Sequence, residues 1–145
     1  MKHIDLCNGI GGFSLAFDRQ GFETVGFAEV DPFCSQVLKK KWPTTPNDGN
    51  VKDIADDPTT LPDFDVLTAG YPCQPFSAAG KKRGEHDPRH LWPDIRRIVQ
   101  ARRPSWCVFE NVLGHVSMGL DKVLSNLEDD GYKVRPFVVP ALSVD

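Results

Sequence analysis

The stretch Asp5-Leu6-Cys7-Asn8-Gly9-Ile10-Gly11-Gly12-Phe13 decides the fold. It follows an apolar run, carries an acid near its start, turns through glycines and enters a segment with helical spacing. That is a strand, a tight turn and a helix start, the opening unit of an α/β sheet. Glycines at such a turn let the backbone approach a ligand closely beneath the positive end of the following helix. The pattern is not the G-x-G-x-x-G of dinucleotide binders, and an acid just ahead of the turn would repel a pyrophosphate. Asp5 suits a cationic, phosphate-free ligand instead.

Working outward, apolar runs and turn punctuation alternate in a βαβ rhythm, with no repeat and no low-complexity segment. Strands are expected at His3–Cys7, Thr24–Glu29, Phe64–Ala69, Trp106–Glu110 and Tyr132–Val139, with a short extended piece near Val51–Ile54. Helices are expected at Gly12–Gln20, Pro32–Lys41, Leu91–Arg102 and Gly119–Asp130. Two helices have readable core faces: Leu91, Ile95, Ile98 and Val99 in one, Leu120, Val123, Leu124 and Leu127 in the other, recur at steps of three and four. Between Gly70 and His90 lies a long glycine-, proline- and base-rich loop, the kind that in a compact domain is functional or disordered.

At 145 residues the chain fits one domain, able to bury roughly 68–70% of its unfolded surface without a metal or disulfide staple. Its 17 basic and 20 acidic residues leave a net charge of −3, a mildly acidic balance. No stretch approaches the roughly 20 apolar residues of a membrane span, and Met1–Leu6 lacks a signal peptide's character, so a cytoplasmic protein is expected. Cys7, Cys34, Cys73 and Cys107 show no C-x-x-C spacing, which argues against a metal site or a disulfide framework. Each is therefore a buried small residue, as expected for Cys107 and Cys34, or a nucleophile.

Two ends of the sheet carry chemistry. Glu29, about 20 residues past the glycine turn, ends the second expected strand, where its carboxylate can accept from both hydroxyls of a ribose. Asp53-Ile54 ends the third extended piece, placed to touch an adenine edge. With Asp5, these point to an adenosyl ligand that is cationic, such as S-adenosylmethionine. After the next strand, Gly70-Tyr71-Pro72-Cys73-Gln74-Pro75-Phe76-Ser77 sets a cysteine between prolines at a strand's carboxyl end, where open α/β sheets bind ligands. Phe109-Glu110-Asn111-Val112 brings a carboxyl to the same edge. A thiolate beside an acid can attack a heterocycle that the acid holds.

These segments, in this order and spacing, resemble the cytosine-5 DNA methyltransferase family, most specifically through Pro72-Cys73-Gln74 and Glu110-Asn111-Val112. The resemblance implies a Rossmann-like S-adenosylmethionine-dependent methyltransferase fold, a mostly parallel sheet with helices on both faces. It implies a Cys73 thiolate that adds to carbon 6 of a flipped-out cytosine, with Glu110 engaging ring nitrogen 3 and the exocyclic amine and Asn111 beside it. Burial is then expected to raise the Glu110 pKa. Asp5, Gly9, Gly11, Phe13, Glu29, Asp53, Ile54, Pro72 and Leu91 would line the donor pocket. Gln74, Ser77, Lys81, Lys82, Arg83 and Arg89 would meet the DNA.

The chain departs from the family's pattern in two places, since an aromatic residue usually stands at Cys7 and often a Trp at Val30, both packing on adenine. It also ends at Asp145 without the family's Gln-Arg-x-Arg motif and target recognition domain. The expectation is an incomplete catalytic and donor-binding domain, 1–145, from a prokaryotic or phage protein. It would be truncated, a fragment, or completed by a companion chain. A relative acting on transfer RNA, a non-catalytic adenosyl-binding or partner-binding remnant and a nicotinamide oxidoreductase are the competing readings; the last would need a different phosphate turn.

Overall fold

The computed structural model describes residues 1–72 and 90–140. Four parallel strands, β1 (Lys2–Leu6), β2 (Glu23–Ala28), β3 (Val66–Ala69) and β4 (Trp106–Phe109), form one sheet in the order β2-β1-β3-β4. Helices α1 (Gly12–Arg19), α2 (Pro32–Lys41), α3 (Val51–Asp56), α4 (Trp92–Arg102), α5 (His115–Met118) and α6 (Leu120–Asp129) connect and cover it. The chain passes from β1 outward to β2, then back across to β3, so the order reverses at β1/β3. Ligands bind outside the strand ends at such a reversal.

Alternation sorts the side chains of the sheet onto two unlike faces. Ile4 and Leu6 of β1 and Leu67 and Ala69 of β3 join Ile54, Ile95, Ile98 and Val99 in the apolar core under α3 and α4. His3, Asp5 and Thr68, one step out of phase, are also fully buried, but on the face that α1 covers. There His3 stacks on Phe17 of α1 with ring centroids 4.5 Å apart. The expected stripe of α4 is in the core, Ile95, Ile98 and Val99 fully buried and Leu91 half-buried at its start; α6 buries Val123 and Leu127.

Two expected strands are not strands. Val51–Ile54 is the start of helix α3, capped by Asn50, whose side-chain oxygen accepts from the Lys52 N–H. Val51, Ile54 and Ala55 fall at helical spacing and are all buried, and an asparagine cap ahead of such a triplet is a helix start. Extended pairing survives only as a bridge between Asn47 and Phe27 at the outer edge of β2. Tyr132–Val139 has no ladder among the described residues: Tyr132 and Val134 rest against the core, and Phe137, Val138 and Val139 are exposed. Pro136 removes one donor from this stretch, and a strand without a partner ladder has nothing to hold it extended. Cys34, expected to be buried, is half-exposed near the start of α2, whereas Cys107 does lean on the core.

Candidate functional site

Beyond the end of β1 the chain turns back sharply. Cys7, Gly9 and Gly11 all have positive φ, at 52°, 53° and 86°. At Gly11 only glycine fits, because a Cβ there would lie 2.7 Å from the Trp42 ring and 3.0 Å from Leu38. At Gly9 a Cβ would meet nothing within 4 Å, so this part of the turn faces open space. Glu29, just past β2, holds the turn from the side: its Oε2 accepts from the Gly9 N–H at 2.8 Å and its Oε1 from the Asp31 N–H at 2.8 Å. Asn47 fixes Glu29 in turn, accepting from its N–H at 2.9 Å and donating to its carbonyl at 3.0 Å. Sequence reasoning passed over Asn47, whose amide replaces the strand that Val51–Ile54 does not form.

The β3 and β4 ends arrive on the other side of the turn. A Cβ on Gly70 would lie 3.5 Å from Glu110 Oε2 and 3.6 Å from the Cys7 carbonyl, so the three strand ends meet there. Cys7, Asn8, Gly9, Gly12, Phe13, Gly70 and Glu110 line one open cleft of about 510 Å³, a volume in the range of small-molecule sites. Asn111 cross-links the two strand ends, its Nδ2 donating to the Tyr71 carbonyl at 3.0 Å. Tyr71 is buried among Trp92, Phe109 and His115, 3.1 Å from His115 Nε2. The segment leading toward Cys73 is thereby anchored as far as Pro72.

The structure thus gathers Gly9, Phe13 and Glu110 at the cleft, with Glu29 bonded to its wall. Gly11 lies beneath the turn as packing. Asp5 does not open into the cleft: Ser14 Oγ donates to Oδ2 at 2.6 Å and Thr68 Oγ1 lies 2.5 Å from Oδ1. Burial pushes its carboxyl up to about 6 against these bonds, with Glu29 adding to the rise. Ile54 is a core residue, which corrects its expected place at an adenine, while Asp53 is exposed on the first turn of α3. Neither Asp53, Leu91 nor Pro72 lines the cleft. Glu110, expected to be buried, is exposed, because the α1 face of β4 has no cover among the described residues. Cys73, Gln74, Ser77, Lys81, Lys82, Arg83 and Arg89 lie outside the described residues.

Asn8 was not singled out from the sequence, and nothing in a single asparagine within a glycine turn would mark it. Its Nδ2 and Oδ1 are both buried without a hydrogen-bond partner among the described residues, although the residue borders the cleft. A buried amide left unpaired costs about 1–3 kcal/mol. The described thiols do not compete as nucleophiles. Burial pushes Cys7 and Cys107 up to about 12, and Cys34 is raised as well. Among the described residues no cluster of His, Cys, Asp and Glu is arranged to hold a metal ion, and no helix is long and apolar enough to cross a membrane.

A parallel sheet that begins with strand, glycine turn and helix, and that gathers carboxylates at its reversal point, has the Rossmann-like architecture of S-adenosylmethionine-dependent methyltransferases. Solved structures share it: the Spodoptera frugiperda DNMT2 mutant at TM-score 0.71 and 24% identity over 89% of this chain and 41% of that one, and the Entamoeba histolytica methyltransferase EhMeth at TM-score 0.74 and 18% identity over 99% and 48%. The model of the C-5 cytosine-specific DNA methylase family matches residues 1–145, and the chain belongs to that family, whose methyl donor is S-adenosylmethionine. It is 42% identical to the type II methyltransferase M.HgiBI of Herpetosiphon aurantiacus over 92% of this chain and 31% of that protein. To M.HhaI of Haemophilus parahaemolyticus it is 35% identical over 98% of this chain and 44% of the relative. The chain therefore spans less than half the length of these relatives.

Proposed function

We propose that this chain is the donor-binding and nucleophile-bearing part of an enzyme that methylates carbon 5 of cytosine in DNA. One observation carries the reading: the glycine turn, the β3 end leading to Pro72-Cys73 and the Glu110 carboxylate converge on one cleft. The group implied there fits. The cleft volume suits S-adenosylmethionine, the space over Gly9 admits it, and the orphaned Asn8 amide offers it a donor and an acceptor. When bound, that donor supplies an electrophilic sulfonium methyl group. Glu29, which holds the turn through Gly9, would accept from its ribose.

The protein's own part is to make a cytosine nucleophilic. Cys73 loses its proton and its sulfur bonds to carbon 6; the displaced electron pair passes to carbon 5, which takes the methyl group. Loss of the carbon 5 proton then expels the thiolate and restores the ring. Glu110 hydrogen-bonds ring nitrogen 3 and the amine, holding the base for attack, while Asn111 positions the β3 end through Tyr71. The base must leave the duplex stack to reach such a site. Gln74, Ser77 and the bases Lys81, Lys82, Arg83 and Arg89 would contact the DNA.

Substrate selection falls to further polypeptide, in the same chain or in a companion. Support for this comes from exposed apolar surface: Trp106 is 67% and Val108 38% exposed on β4, and Phe137, Val138 and Val139 are exposed further along the chain. The test is trapping on DNA carrying 5-fluorocytosine in the presence of the methyl donor, because fluorine cannot leave as the proton does. A covalent adduct lost in Cys73→Ser supports the reading; donor binding with no adduct, even when the remaining polypeptide is supplied, overturns it.

A further inference from the structure

Under α1, five side chains form a continuous line through the sheet. Asp18 Oδ1 is 2.8 Å from Thr24 Oγ1, which is 3.2 Å from His3 Nδ1. His3 Nε2 is 2.8 Å from Thr68 Oγ1, and Thr68 Oγ1 is 2.5 Å from Asp5 Oδ1. Each of these four contacts needs one hydrogen between its two heavy atoms. Two threonine hydroxyls and a neutral imidazole supply three. With both aspartates ionised, one contact would set lone pair against lone pair in the buried interior, whichever tautomer His3 adopts. A fourth hydrogen is required by the geometry.

We infer that this line holds one extra proton, carried on Asp5 Oδ1, so that the acid beneath the glycine turn is a hydrogen-bond donor. The line then runs in one sense: Asp5 donates to Thr68, Thr68 to His3 Nε2, His3 Nδ1 to Thr24, and Thr24 to Asp18. The remaining Asp5 oxygen still accepts from the Ser14 hydroxyl and N–H, tying the first turn of α1 to β1. Placement on His3 is opposed by its burial, which lowers the imidazole to about 4 although Asp18 of α1 pulls the other way. Placement on Asp5 is favoured by burial and by Glu29 at the end of β2, and Cys7 beside it stays a neutral thiol. A hydrogen bond donated by Thr68 would lower Asp5; turned to accept, Thr68 lowers it no longer. Asp18 reaches solvent and also accepts from the Trp42 indole.

The consequence is a turn whose underside changes charge. While the proton is held, the ground beneath Gly9–Gly11 is neutral and the line is complete. Its loss breaks one link and leaves an anion at the start of α1. This goes beyond the methyltransfer reading and is measured without donor or DNA, so neither can fail in place of the other.

The test is NMR on the full chain with labelled His and Asp. The expected result is a neutral His3 protonated at Nδ1 while Asp5 is uncharged, and an Asp5 carboxyl titrating at or above about 6. Thr68→Val, nearly isosteric, removes the link; the His3 tautomer is then no longer fixed and the Asp5 titration moves by about one pH unit or more. Asp5→Asn, whose amide also donates to Thr68, keeps the Nδ1–H tautomer wherever His3 is neutral and guards against misfolding of the first variant. An imidazolium at His3, an Nε2–H tautomer in the wild type, or an Asp5 already ionised at pH 5 overturns the inference.

Discussion

The same face of one sheet is finished at β1 and unfinished at β4. Over β1, α1 covers the face so fully that His3 and Asp5 are out of reach of water, and every polar atom of the line finds a neighbour. Two strands away, β4 turns Trp106 and Val108 to that same side, and no described element covers them. The difference shows which half of the cleft the described residues close by themselves. The side proposed for the donor is closed by the glycine turn, Glu29 and α1. The side proposed for the base offers Glu110, which is exposed.

The hardest blow to the finished half is Gly11→Ala. It adds a methyl group 2.7 Å from the Trp42 ring at a position with φ of 86°, so overpacking and left-handed strain combine to a loss of about 3 kcal/mol. Chemical denaturation measures it. A loss below about 1 kcal/mol would mean that Trp42 and α2 give way freely and that the turn is not held as described.

How far the sequence carried this depended on the element. The β1-turn-α1 unit was legible because glycines, alternation and helical spacing agreed over one continuous stretch. Asp53-Ile54 was misplaced because Val51 and Ile54 alone look strand-like; the Asn50 cap and the i, i+3, i+4 spacing decide for helix. Tyr132–Val139 alternates like a strand at its start, yet pairing is a property of a neighbour, which a local pattern cannot supply. The meeting of Glu110 with Gly70 and the turn was legible as strand-end chemistry. The polar line was not, since His3, Thr24 and Thr68 lie far apart in sequence and resemble ordinary strand residues.

The next break concerns acid. His3 is held neutral, its pKa lowered to about 4 from 6.5, so it contributes stability that is lost as pH falls from about 6.5 to 4. Asp5 is raised from 3.8 to about 6, so the fold binds that proton more tightly than the unfolded chain, and stability is gained as pH falls through 6 toward 4. At about 1.4 kcal/mol per pH unit each is worth about 3 kcal/mol, with opposite signs. For this pair the wild type is expected to change little between pH 6.5 and 4. Asp5→Asn removes the compensation and should lose about 3 kcal/mol over that range, read from denaturation midpoints at each pH. Parallel pH profiles for the two proteins would break the account.

A smaller effect sharpens what the finished half is for. Asn8→Ala deletes an amide with no partner, so the unliganded protein should gain about 1 kcal/mol while its affinity for S-adenosylmethionine falls about tenfold, one amide hydrogen bond's worth. Thermal unfolding with and without donor, with calorimetric titration, reads both. A variant that loses stability while binding equally well would show that the amide serves the fold and not the ligand.

The smallest change is expected on the unfinished side. Trp106→Gln and Val108→Thr alter side chains that already face solvent, so each should shift stability by no more than about 0.5 kcal/mol, the usual range for surface substitutions. The paired variant should also bind less of a dye that reports exposed apolar surface, because Trp106 and Val108 are both exposed apolar side chains. Adding the further polypeptide should abolish dye binding by the wild type and should bind the variant more weakly. A loss above about 1 kcal/mol in the chain alone would instead place Trp106 and Val108 under a cover supplied by this chain itself, and the contrast between the two halves of the face would disappear.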